Sequence, residues 1–196
     1  MKQLEKILGA SIILMMILSI IFLIPYSSAV ITLLSVLLSG LYFYCSFLLL
    51  NNIRLRHAFK KTSYSELGFW RLLGTIFTGF VLSLVVIYSL FKFQRWPYGQ
   101  QGLTISLGLL LFVIIVVLIK LKSTNNIFYK NLLVRLFIIG FFGVLFFYTS
   151  SVQLLELQYR NYPNYIEAEK RLMLDPTNDS LQKKANKERQ KIDLNN

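Results

Sequence analysis

The chain has 196 residues, 55% of them apolar, 15% aromatic and 15% charged, and 21 lysines and arginines against 9 acids give a formal charge of +12. Soluble domains carry about 25% charged residues, disordered chains are poor in apolar ones, and disulfide scaffolds need more than the single cysteine present here. What remains is an all-α integral membrane protein: a five-helix transmembrane bundle followed by a short helical polar tail.

A membrane-crossing helix takes about 20 mostly apolar residues. Five stretches qualify, at 7–24, 30–50, 68–91, 102–119 and 132–149. Residues 1–149 therefore read as the bundle and 150–196 as the tail. The first stretch follows Lys2 and Lys6 and precedes Ser27-Ser28-Ala29, an order shared with cleaved signal peptides. Its apolar run exceeds the usual length of about 7–15 residues, and a second run follows at once, so it reads as a retained span. Pro25-Tyr26-Ser27-Ser28 turns the chain into the second stretch, making an antiparallel hairpin.

Before the third stretch, Ser63 and Glu66 have capping-box spacing, which satisfies free backbone donors at a helix start. Trp96-Pro97-Tyr98-Gly99 turns the chain into the fourth stretch. Arg71 and Arg135 lie three residues inside the third and fifth stretches, close enough to reach headgroups. Aromatic residues gather at both predicted interfaces, among them Trp70 and Tyr129 at one and Tyr26, Trp96 and Tyr148 at the other. Small residues (Ser35, Gly40, Gly74, Gly79, Gly140, Gly143) permit close helix approach. The third and fifth stretches align at an offset of 64 through Arg71/Arg135, Phe77/Phe141 and Gly79/Gly143, a faint sign of duplicated hairpins.

In the tail, Leu154, Leu155 and Leu157 read as an extension of the fifth helix until Pro163. Residues 164–174 have helical spacing, with Tyr165, Ala168 and Leu172 on one side. Asn178 or Asp179 caps a further short helix carrying Leu181, Ala185, Glu188 and Ile192 on one face. Helices this short are marginal in water, so order here requires something to pack against. Leu172 to Asn178 resembles the end of a tetratricopeptide repeat, but no second copy follows at the required period. Asn178-Asp179-Ser180 fits the common glycosylation pattern.

Charge gives an expected orientation. Lys2, Lys6, Arg54, Arg56, Lys60, Lys61, Arg71, Lys120, Lys122, Lys130 and Arg135 fall on one membrane side, and Lys92 and Arg95 on the other. Basic short loops stay in the cytoplasm. The expectation is a bacterial inner (plasma) membrane protein with a cytoplasmic amino terminus and an outer tail. Its basic face would meet anionic lipid. No fold or aromatic-basic strip accompanies the charge to suggest nucleic acid.

The chemistry is sparse. Between residues 7 and 149 the only carboxylate is Glu66, so none of the five stretches contains one. Carboxylate-coupled ion transport normally needs such a group. With one His (His57) and one Cys (Cys45), a single copy of the chain cannot build a bis-histidine haem, an iron–sulfur cluster or a His/Cys zinc site. His57 reads as a loop residue among positive neighbours, and Cys45 as a buried small residue. No catalytic or nucleotide-binding motif occurs. No catalytic, cofactor or metal residue is therefore assigned, and no enzymatic role is expected.

Three functions fit. The first is an accessory or structural subunit of a larger membrane complex, with a protein partner in the membrane or on the tail. The second is a small oligomeric transporter or channel for a neutral or amphipathic solute, lined by Ser35, Ser39, Thr75, Thr78 and Ser83. The third is a membrane sensor or immunity-type protein.

Overall fold

The computed structural model describes residues 2–22, 24, 26–51, 53, 68–124 and 126–195, with side chains up to 192. Among these residues there are eight helices and no strand. Five are long and apolar enough to cross a membrane: α1 (Lys2–Phe22), α2 (Ser27–Leu50), α3 (Phe69–Phe93), α4 (Gly99–Thr124) and α5 (Ile127–Tyr148). The polar tail forms α6 (Ser151–Gln158), α7 (Pro163–Leu174) and α8 (Asp179–Asn195). Successive long helices run up and down, which puts the amino terminus and the tail at opposite ends.

Local chemistry explains the breaks. Tyr26, Arg95 and Tyr98 take left-handed backbone conformations at the turns before α2 and α4. The second of these turns is tight enough that a Cβ on Gly99 would lie 2.9 Å from the Lys92 nitrogen, so only glycine fits there. The side chain of Asn126 accepts from the Phe128 amide at the start of α5. The expected continuation of the fifth helix into the tail does not occur. Thr149 leaves helical geometry, and Ser150 and Gln153 form a reciprocal capping box that starts α6 afresh. Pro163 opens α7, where its missing N–H costs nothing. Asn178 caps α8 by accepting from the amides of Ser180 and Leu181.

α3 is the central helix. Its Val81, Leu82 and Val85 are fully buried and pack with Leu49 of α2, Leu110 and Val113 of α4, and Leu136 of α5. The α2–α3 contact is a seam of small residues. A Cβ on Gly79 would overlap the Ser46 side chain and come within 2.6 Å of the Tyr42 carbonyl. Gly143 similarly receives Leu107 of α4 and Val85 of α3. Gly79 and Gly143, the pair aligned at an offset of 64, thus each face the preceding helix. Gly40 and Gly74 meet nothing and do not serve close approach.

The helices differ from the sequence boundaries chiefly by being longer. α1 starts at Lys2, five residues before the expected 7, and α4 runs from Gly99 to Thr124 against the expected 102–119. A hydropathy reading stops at charges, but a helix continues through them when they are paired or reach water. Two expectations change as a result. Glu5 lies in the first turn of a helix long enough to span, so a carboxylate does belong to such a helix. Arg135 is the ninth residue of α5 and not the fourth of its segment, because the helix begins at Ile127, and it lies at the level of Glu5 near the amino-terminal end of the bundle. Arg54, Arg56, His57, Lys60, Lys61 and the Ser63/Glu66 capping box lie outside the described residues, as does Pro25.

Candidate functional site

Polar side chains concentrate at three levels of the bundle. At the amino-terminal end, Glu5 reaches from α1 to two other helices. Its Oε2 is 3.0 Å from Nη2 of Arg135, and its Oε1 accepts a 2.7 Å hydrogen bond from the Tyr42 hydroxyl. The Glu5 and Arg135 side chains are only 12% and 17% exposed. Nη1 of Arg135 also donates to the Leu49 carbonyl at 3.4 Å. One carboxylate therefore ties α1, α2 and α5 together. Beside it, Nε of Arg71 donates to Asn51 at 3.0 Å, Asn51 donates to Thr75, and the Arg71 guanidinium lies 4.1 Å from the centre of the Phe128 ring. Both arginines expected to reach headgroups have partners within the protein.

The middle level is the α2–α3 seam. The hydroxyls of Ser39 and Ser83 hydrogen-bond at 2.7 Å. Thr75 and Thr78 donate back to the carbonyls of Leu72 and Gly74. The Ser46 hydroxyl is buried with no partner. Ser35, Ser39, Thr75, Thr78 and Ser83, proposed from sequence as a solute lining, are all buried in helix contacts. Two clefts among the described residues lie elsewhere. One is an open groove of about 610 Å³ beside Tyr26, Thr32, Leu33 and Trp96. The other, of about 110 Å³, lies between α7 and α8.

The tail end holds the third level, where the polar tail is fastened to the bundle. Leu154 of α6 packs among Ile31, Leu90 and Phe93. On the other side of α6, Leu155 packs with Tyr165 of α7 and Ile192 of α8. Hydrogen bonds complete the attachment. Gln158 donates to the Phe93 carbonyl at 2.8 Å, and Arg160 to the Ile21 carbonyl at 3.1 Å. Gln94 ties α3 to α2 through the Ser28 carbonyl and the Thr32 hydroxyl. Arg95 faces α7, with Nη1 3.8 Å from Glu169 and the guanidinium 5.4 Å from the Tyr159 ring centre. That separation leaves its Nε and Nη1 without a hydrogen-bond acceptor. Burial pushes the Tyr165 hydroxyl above its ordinary pKa. Glu169 adds to the rise, while Arg95 opposes it.

The remaining sequence candidates are dispersed. Cys45 is half-buried and unpaired by disulfide. No group of three or more His, Cys, Asp or Glu side chains able to hold a metal occurs among the described residues. Sequence reasoning missed Glu5, because it lay two residues before the first apolar stretch. No protein-family model, curated protein or solved structure matches this chain.

Proposed function

We propose that the protein is a non-enzymatic docking subunit of a larger membrane complex, with the five long helices as anchor and the α7–α8 hairpin as the element offered to a partner. The observation that carries this reading is the attachment of the tail. α6 is wedged between two apolar clusters, one belonging to the bundle and one to the hairpin. Hydrogen bonds from Gln158 and Arg160 fix it to the ends of α3 and α1. A polar appendage with no task would not need such a mount, and a helical pair this small gains its order from packing.

The buried serines and threonines of the α2–α3 seam suit helix packing better than a solute path. The excess of basic side chains around the amino-terminal end supports a cytoplasmic amino terminus touching anionic lipid, and hence a tail on the outer side of a bacterial inner membrane. Purification of the tagged chain from its native membrane in mild detergent tests the proposal. Recovery of a partner in fixed stoichiometry is expected, and a clean, stable, partner-free monomer would count against it.

A further inference from the structure

The tail is nearly neutral in total but not in arrangement. Ion pairs engage most of its carboxylates: Glu156 with Lys170, Glu167 with Arg171, Glu169 with Arg95, and Glu188 with Lys191. Asp175 accepts from Thr177 and Asn178. Asp179 stands in the first turn of α8, where the helix dipole favours an acid. Lys183, Lys187 and Arg189 are exposed and make no ion pair among the described residues. Lys183, Lys187 and Lys191 are four residues apart in sequence and so form one stripe along α8. Lys184 flanks them but shares a cleft with Glu167 and Glu188. Thus every charged side chain of α7 is paired, and apart from Arg160 the tail's unpaired positive charge among the described residues lies on α8.

The kind of partner follows from what the stripe lacks. The apolar side of α8 is used internally, with Ala185 and Ile192 buried. Every exposed position from 182 to 191 is polar or charged. Hot spots of protein interfaces are enriched in Trp, Tyr and Arg, and of these α8 exposes Arg189 alone among the described residues. Lysines on flexible stems act as point charges, suited to a diffuse anionic layer. The membrane end of the bundle is close to α6, which begins at Ser151, three residues beyond the last residue of α5, and Ile192 of α8 packs with Leu155 of α6. We propose that α8 engages the anionic phospholipid headgroups of the membrane in which the bundle sits, through Lys183 and Lys187, with Lys191 shared with Glu188.

The test is amide hydrogen exchange across residues 179–192 of the full chain, in nanodiscs of phosphatidylcholine alone or mixed with phosphatidylglycerol. Exchange is expected to slow in the anionic discs by about fivefold for each engaged lysine, and the effect should vanish at high salt. The Lys183→Gln/Lys187→Gln variant should lose the slowing, and Lys183→Arg/Lys187→Arg should keep it. Equal exchange in the two discs would overturn the proposal, as would slowing that survives in the glutamine variant. Slowing seen only on adding an acidic polypeptide such as polyglutamate would overturn it in favour of a protein partner.

Discussion

Replacing Glu5 with glutamine should loosen α1 from the rest of the bundle. Ile12 is the only buried side chain of α1 among the described residues. Lipid tails are as apolar as the helix faces they replace, so apolar contact alone holds α1 weakly. The polar links then decide its attachment. Glu5→Gln keeps the shape and an acceptor for Tyr42 but removes the charge facing Arg135, which would be left with the Leu49 carbonyl at 3.4 Å. Breaking a fully buried pair costs about 3–5 kcal/mol, and breaking an exposed one about 0–1 kcal/mol. With 12% and 17% exposure near one end of the bundle, this pair should fall between, at about 2 kcal/mol. That is about thirtyfold in the equilibrium. The assay is a double-mutant cycle of Glu5→Gln and Arg135→Gln, read by reversible unfolding in mixed micelles. A coupling energy under about 0.5 kcal/mol would refute the reasoning, since independent sites already differ by that much.

Three further outcomes follow from the packing. Gly79→Ala should force α2 and α3 apart, because its Cβ would overlap Ser46; a loss of about 1–3 kcal/mol in the same unfolding assay is expected, and an unchanged midpoint would contradict the close approach. Ser46→Ala removes a buried hydroxyl that has no partner, so its stability should stay level or rise by up to about 1 kcal/mol, and a clear loss would mean that the hydroxyl is bonded. The Tyr165 hydroxyl has a raised pKa when docked, so its stabilising effect is full below the ordinary tyrosine value and fades as pH climbs past it, because an undocked tail releases that proton first. The difference in tyrosinate absorbance between the parent and Tyr165→Phe should therefore titrate above the exposed tyrosines, and a difference at the ordinary value would argue against a buried Tyr165.

Much of the fold could be read from local composition. Long apolar runs announce spans because a bilayer permits only helices and closed barrels, and the 4-3-4 spacing of Leu181, Ala185, Glu188 and Ile192 marked the face of α8 that meets α7. The span edges were harder, since Lys2, Glu5 and Lys6 lower hydropathy without ending the helix. The polar sites were hardest. Glu5 and Arg135 are 130 positions apart, and only the folded bundle brings them together. Likewise, the hydroxyls of Ser39 and Ser83 look the same in sequence whether they face a pore or each other. The mount of the tail depended on Ser150 and Gln153 ending one helix and beginning another, a local signal that the neighbouring leucines hid.

The proposed docking role rests on the hairpin, and truncation after Tyr162 removes α7 and α8 but keeps the residues of α6 that contact the bundle. Partner recovery from native membranes, compared between the full and truncated chains at equal expression, tests the role most directly. A stoichiometric partner with the full chain and its loss on truncation is the predicted result. Equal recovery with both chains, or no partner with either, would contradict it.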